Sequence, residues 1–290
     1  MACRYRLLLA LLAFTAMALN AFAGSALAAD ADRLTVTVAG RERSYRLLDA
    51  HQGTGPAPLV IVLHGGGGNG EGMIARWADK ARAAGLVVAA PDGIGRLGNR
   101  GTWNAGGCCG EALRDGVDDI RFIAAVIDDL TRRLPVDPHR VYVAGFSNGG
   151  MLAHRLALAL PDRFAAVAVV AGALFGGETP PRLPVPILLI HGLADDVVPV
   201  AGGMSPTRLV ARSQSRPFLP LRDTLAFWRR ADGCAGQASP SRTAAAARLE
   251  TYGPCAGQTS VVLLTLAEGG HAWPSDATDE IWSFFARFRR

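Results

Sequence analysis

Three side chains have the types and the chain order that turn a hydroxyl into a nucleophile. Ser147 lies in Gly145-Phe146-Ser147-Asn148-Gly149, a G-x-S-x-G pattern whose glycines permit a turn too tight for side chains and push the serine Oγ into solvent. A serine hydroxyl attacks only when a base takes its proton, and that base needs an acid to orient it. The sequence offers six histidines: His51, His64, His139, His154, His191 and His271. Where a serine sits on a strand-to-helix turn, its partners follow in the order serine, acid, histidine. With the acid placed after the next strands, His271 is the base, in Glu268-Gly269-Gly270-His271-Ala272-Trp273-Pro274. The stretch from Leu188 to Pro199 puts Asp195 and Asp196 just after a strand's C-terminal end, the edge where sites form in open sheets. Either carboxylate meets that requirement.

The tetrahedral intermediate of acyl transfer needs preorganised N–H donors for its oxyanion. One is expected from Asn148, at the start of a helix, and the second from Gly65 or Gly66, in the run His64 to Gly70 that follows an apolar strand. A phosphate cradle is excluded there, because no G-x-x-x-x-G-K-[ST] pattern and no nearby lysine accompany the glycines. The other histidines have structural readings: His139 precedes a strand, His154 lies on the helix behind the serine, and His64 and His191 fix loops at strand ends. Asp162, Asp223, Asp232 and Glu250 are read as helix-end or loop carboxylates, and Asp118 and Asp119 as a helix N-terminus. Trp103 and Trp273 flank the cleft and stack on substrate, or else pack the core and loops.

The elements that must position these groups follow from periodicity. Leu34 to Val38 and Ser44 to Leu48 form a strand pair, and Leu59 to Leu63 is a continuous apolar run suited to a buried parallel strand. A helix near Gly72 to Ala84, a strand from Leu86 to Ala90, a Gly-rich loop from Pro91 to Asp115 and a helix over Asp118 to Leu134 follow. After the strand Arg140 to Ala144, the serine turn and its helix come strands at Phe164 to Val170 and Ile187 to Ile190, and a helix at Leu221 to Ala231. Strand Val261 to Leu266 and a helix from Thr278 to Phe288 complete the chain. Strands alternating with helices predict a mostly parallel sheet with helices on both faces. The interval between Ala173 and Pro184 is too short for a helical lid.

Half of the 290 residues are apolar, enough for a large core, and nothing divides the chain into parts. Arg4 and Arg6, the apolar run from Leu7 to Ala23 and the A-x-A site Ala26-Leu27-Ala28 predict a signal peptide over residues 1–28, leaving a single catalytic domain over 29–290. The expected protein is secreted, periplasmic or extracellular, with no stable membrane anchor after cleavage. Its removal lowers the formal net charge from +5 to +3, and no arginine cluster is interleaved with aromatics; no nucleic-acid partner is expected. Cys108, Cys109, Cys234 and Cys255 remain. Of three possible pairings Cys234 with Cys255 is favoured, because it closes a loop of about 20 residues and contributes about 3 kcal/mol. Neighbouring Cys108 and Cys109 are bonded under strain or are two buried thiols.

Taken together, HGGGGN, PDG (Pro91 to Gly93), WNAGGCCG (Trp103 to Gly110), GVDD (Gly116 to Asp119), GFSNGGMLAHRLA, HGLADDVVP and GGHAWP resemble the secreted esterases related to polyhydroxybutyrate depolymerases and feruloyl esterases. The resemblance spans nearly all of residues 29–290. It implies an α/β-hydrolase fold without a large lid, nucleophile Ser147, acid Asp195, base His271, and hydrolysis of small or polymeric carboxylic esters without metal or organic cofactor. Asp196 stands where that family would carry proline. A serine peptidase of the same fold and an inactive carbohydrate- or polymer-binding relative are the alternatives.

Overall fold

The continuous apolar strands fix where the helices go. In the computed structural model, which describes residues 31–97, 100–244 and 246–290, β1 (Asp32–Val38) and β2 (Arg41–Asp49) pair antiparallel and lead into β3 (Ala57–Leu63), whose every residue is buried. Then come α1 (Gly70–Ala84), β4 (Val87–Pro91), a small hairpin of β5 (Ile94–Leu97) and β6 (Arg100–Thr102), α2 (Gly110–Arg114) and α3 (Asp119–Arg133). β7 (Val136–Phe146), α4 (Asn148–Ala159), β8 (Ala166–Val170), β9 (Ile187–Gly192), α5 (Arg208–Ala211) and α6 (Leu221–Ala231) follow. β10 (Ser239–Ala244), β11 (Ala247–Tyr252), β12 (Val261–Leu266) and α7 (Ala277–Phe285) complete it. The predicted signal peptide, residues 1–28, lies outside the described residues.

Ten strands form one sheet in the order β1-β2-β4-β3-β7-β8-β9-β12-β11-β10. The six from β4 to β12 run parallel, and the strands at both ends pair antiparallel. Because successive side chains point to opposite faces, one apolar strand feeds two cores. Leu59, Ile61 and Leu63 join α3, α4 and α6 on one face, whereas Val60 and Val62 join Met73, Trp77, Ile281 and Phe285 of α1 and α7 on the other. A third, smaller core of Ala105, Cys108, Met151, Phe175, Val198 and Phe218 ties the Gly-rich loop to the segment after β9.

Several boundaries differ from the sequence-based reading. β7 begins at Val136 because that residue pairs with Ala57 before a register shift, and Pro138 sits in the bulge, where its missing N–H breaks no ladder bond. The antiparallel hairpin β10–β11 has no counterpart among the expected strands. Its strand β11 places Glu250 in the sheet, 4% exposed, rather than in a loop. Arg222 and Tyr252 donate to its Oε2 at 3.0 Å and 2.9 Å, and Arg222 and Arg248 pair with Oε1 at 2.9 Å and 3.4 Å. Cys234 pairs with Cys255, and Cys108 with Cys109. Among the described residues no helix is long and apolar enough to cross a membrane.

Candidate active site

The sheet winds outward in two directions from β3, to β4 on one side and to β7, β8, β9 and β12 on the other. Loops leaving β3 and β7 therefore part at a switch point, where a crevice opens beyond the strands' C-terminal ends. Ser147 occupies the turn between β7 and α4 with φ 53° and ψ −120°, a backbone state that non-glycine residues rarely adopt and that exposes its side chain. Its N–H donates to Val170 O at 2.8 Å and its carbonyl accepts Met151 N–H at 2.9 Å, so neighbouring elements hold the strained turn. Gly149 is required by crowding: a Cβ there would stand 2.5 Å from Leu63 O.

His271 reaches the same point from the loop after β12. Leu193 N–H bonds Leu266 O at 2.9 Å and Ala194 N–H bonds Gly269 O at 3.0 Å, which straps the loop after β9 to the loop carrying the histidine. The result is a continuous polar chain. Asp195 Oδ2 lies 2.8 Å from His271 Nδ1, and His271 Nε2 lies 2.9 Å from Ser147 Oγ. With a carboxylate at Nδ1, that nitrogen carries the proton, and the Nε2 lone pair faces the hydroxyl.

Asp195 is buried, while Asp196 is exposed and contacts Thr207 only through its backbone carbonyl. The two oxygens of Asp195 are fully engaged: Oδ1 accepts the N–H groups of Val197 and Val198 at 2.9 Å and 2.8 Å. Burial pushes its carboxyl up, but hydrogen bonds from His191, His271 and Val198 outweigh that and hold it well below the usual carboxylate range.

Opposite the histidine runs the loop after β3. A Cβ on Gly65 would stand 2.8 Å from the Phe146 ring and 3.3 Å from Ser147 Cβ, so only glycine lets the backbone come this close. Gly67 N–H donates to Gly101 O and Gly68 N–H to Gly65 O, whereas among the described residues the N–H groups of Gly65 and Gly66 meet no acceptor. Asn148 is the first residue of α4, where a backbone N–H has no intrahelical partner. His64 stabilises the loop as a neutral ring, its Nδ1–H donating to Gly65 O at 2.7 Å and its Nε2 accepting Gly93 N–H at 2.9 Å. Burial lowers this imidazole's pKa to about 4, against the opposing bond to Gly65.

The remaining motifs form the floor behind that loop. Trp103 is fully buried, its indole N–H donating to His64 O at 2.8 Å and its ring 4.7 Å from the imidazole. Of the two readings of Trp103, stacking on substrate or packing, this burial matches packing. The Asn148 side chain grips the Trp103 backbone, accepting its N–H at 2.7 Å and donating to its carbonyl at 3.0 Å. Next door, Asn104 N–H donates to Asp119 Oδ2 at 2.8 Å, and Asp119 Oδ1 pairs with buried Arg43 at 2.9 Å. Asp118, by contrast, caps α3 through Arg121 N–H.

Trp273 stays at the rim, partly buried, its ring set edge-on 6.4 Å from Phe146 and its N–H on Thr278 Oγ1 at 3.2 Å. Phe146 itself lies 5.1 Å from the His271 ring. Reading the pattern as G-x-S-x-G treats that position as free, although an aromatic between glycine and serine was the available signal.

A family model described as alpha/beta hydrolase fold matches residues 58–216. The chain is 37% identical over 258 residues to the putative esterase NocK of Nocardia uniformis subsp. tsuyamanensis, covering 82% of this chain and 73% of that protein. It is 34% identical over 228 residues to feruloyl esterase B of Piromyces equi, covering 74% of this chain but 40% of that protein. Among solved structures, the acetyl xylan esterase from Aspergillus awamori superposes with a TM-score of 0.62 at 16% identity, over 88% of this chain and 99% of that one. The winding of the sheet, the serine turn at its switch point and these similarities agree: the chain belongs to the α/β-hydrolase fold family.

Proposed function

We propose that residues 29–290 are one catalytic domain of a secreted serine carboxylesterase, with Ser147 as nucleophile, His271 as base and Asp195 as acid. Carboxylic ester hydrolysis agrees with relatives named as esterases and feruloyl esterases. The observation that carries the assignment is the unbroken chain from Asp195 Oδ2 through His271 to Ser147 Oγ, with links of 2.8 Å and 2.9 Å.

In the acylation step Ser147 Oγ bonds to the ester carbonyl carbon as its proton passes to His271 Nε2. Asp195 stabilises the imidazolium without taking the proton. The N–H groups of Asn148 and of Gly65 or Gly66 receive the oxyanion. Collapse expels the alcohol, protonated by His271. Water, deprotonated by the same imidazole, then attacks the acyl-enzyme and releases the acid. The paired cysteines support export to an oxidising compartment.

The substrates we propose are aryl esters of the feruloyl type or hydroxyalkanoate esters, with the rim aromatics Phe146 and Trp273 beside the histidine that protonates the leaving alcohol. Ser147→Ala is expected to abolish turnover of short p-nitrophenyl esters and labelling by a fluorophosphonate while retaining the parent circular dichroism spectrum. Retained activity would overturn the assignment. Hydrolysis of methyl ferulate, a hydroxybutyrate trimer and graded acyl esters side by side chooses among the substrates.

A further inference from the structure

His191, the penultimate residue of β9, is 3% exposed. Its Nε2 lies 2.8 Å from the Val198 carbonyl oxygen and 3.4 Å from Asp195 Oδ2. Both neighbours only accept hydrogen bonds, so their positions assign the ring proton to Nε2. Asp195 Oδ2 therefore has two imidazole nitrogens beside it, His271 Nδ1 hydrogen-bonded at 2.8 Å and His191 Nε2 in a longer polar contact at 3.4 Å, while Oδ1 faces only backbone N–H groups.

We infer that His191 is a positioning residue for the reaction: its Nε2–H clamps the Val198 carbonyl and Asp195 Oδ2 together, fixing the carboxylate's rotation so that Oδ2 stays aligned with His271 Nδ1. The inference rests on the proposed Ser147–His271–Asp195 assignment. Its chemical logic lies in the state after proton transfer. His271 is then an imidazolium, and the carboxylate must remain charged and in place beside it. A donor on Oδ2 stabilises that charge and, having its proton directed inward, takes none from His271 at that nitrogen. The hydrogen bonds from His191 and His271 act in the same direction on the Asp195 carboxyl, against its burial. An apolar side chain would fill the space of the ring but leave Val198 O and Oδ2 without this donor.

The test compares two side chains of nearly equal length, His191→Gln, which keeps an N–H donor, and His191→Met, which does not. With p-nitrophenyl acetate as probe, His191→Met is expected to lower kcat by about 10- to 100-fold with KM within about twofold. Its far-downfield His271 Nδ1–H proton resonance weakens, and His191→Gln recovers most of the kcat. Unchanged kcat in a folded Met variant, or equal losses in Gln and Met, overturns the inference and leaves a packing role. Should the Met variant not fold, nitrogen-15 histidine spectra of the parent protein decide instead: a proton on His191 Nε2 protected from exchange is expected, and a proton on Nδ1 overturns the inference. Ser147→Ala run alongside separates the two levels. Activity in that variant removes the nucleophile assignment itself, whereas an inactive Ser147→Ala beside a fully active His191→Met removes only the role given to His191.

Discussion

His154, on the helix behind the serine, accepts the Trp228 indole N–H on Nδ1 at 3.1 Å, and the two rings stack with centroids 5.8 Å apart. This contact joins α4, which starts at the Ser147 turn, to α6 on the same face of the sheet. The imidazole is fully buried, its Nε2 finds no partner, and burial lowers its pKa to about 3.

That depressed value makes the protein acid-sensitive. An unfolded histidine titrates near 6.5, so the contribution of His154 is fully present above that pH and is lost as pH falls toward 3. The slope is about 1.4 kcal/mol per pH unit. His154→Phe keeps a ring against Trp228 but leaves its N–H unpaired, costing about 1–3 kcal/mol at pH 7. Urea unfolding across pH 4–7 is expected to show a less stable but less pH-dependent variant; an unchanged acid slope contradicts this.

Asp232 behaves in the opposite sense. It ends α6, is wholly buried, and receives Val185 N–H on Oδ1 while Oδ2 has no partner. Burial pushes its pKa up to about 7, only partly offset by that bond. The folded state holds this proton more tightly than the unfolded chain does, so the contribution is greatest below about pH 4 and is lost as pH rises through 7. Asp232→Asn keeps the acceptor without the charge. We expect it to melt higher than the parent at pH 8, by the equivalent of roughly 2–4 kcal/mol, and to match it near pH 4.

The Arg43–Asp119 pair is buried at both ends, 3% and 0% side-chain exposure at 2.9 Å. Removing either partner strands a charge, so Arg43→Met or Asp119→Leu should each cost about 3–5 kcal/mol, and the double variant less than the sum. Because Asp119 also holds Asn104 N–H, the Asp119 variant should lose more kcat than the Arg43 variant. Chemical denaturation and steady-state kinetics on the three proteins check both statements.

Asn148→Ala keeps the backbone N–H at the start of α4 but frees both polar groups of Trp103 from their side-chain partner. The Trp103 carbonyl keeps Cys109 N–H at 3.1 Å, so the N–H alone is left unpaired; the expected loss is about 1–3 kcal/mol, with kcat falling more than KM rises. Equal stability and kcat would show that the Trp103 loop holds its place without this grip.

The sequence by itself determined the apolar strands and their alternation with helices, and it singled out Ser147 and His271 as the residues of the proposed site. Each is a local matter: β-branched runs, helical periodicity, a tight turn between glycines, or the order of residues along one chain. It left Asp195 and Asp196 equivalent, because adjacent carboxylates differ only once a loop buries one and exposes the other. It also left Trp103 suspended between substrate and core, hid the hairpin β10–β11, and gave no reason for His191 to differ from any other histidine at a strand end. Those questions turn on contacts that the order of residues along the chain does not announce, such as Asn148 with Trp103 and His271 with Asp195, tens of positions apart, or His191 with Val198 across one loop. Only the tertiary structure supplies them, since burial and hydrogen-bond partners exist only after distant segments have packed.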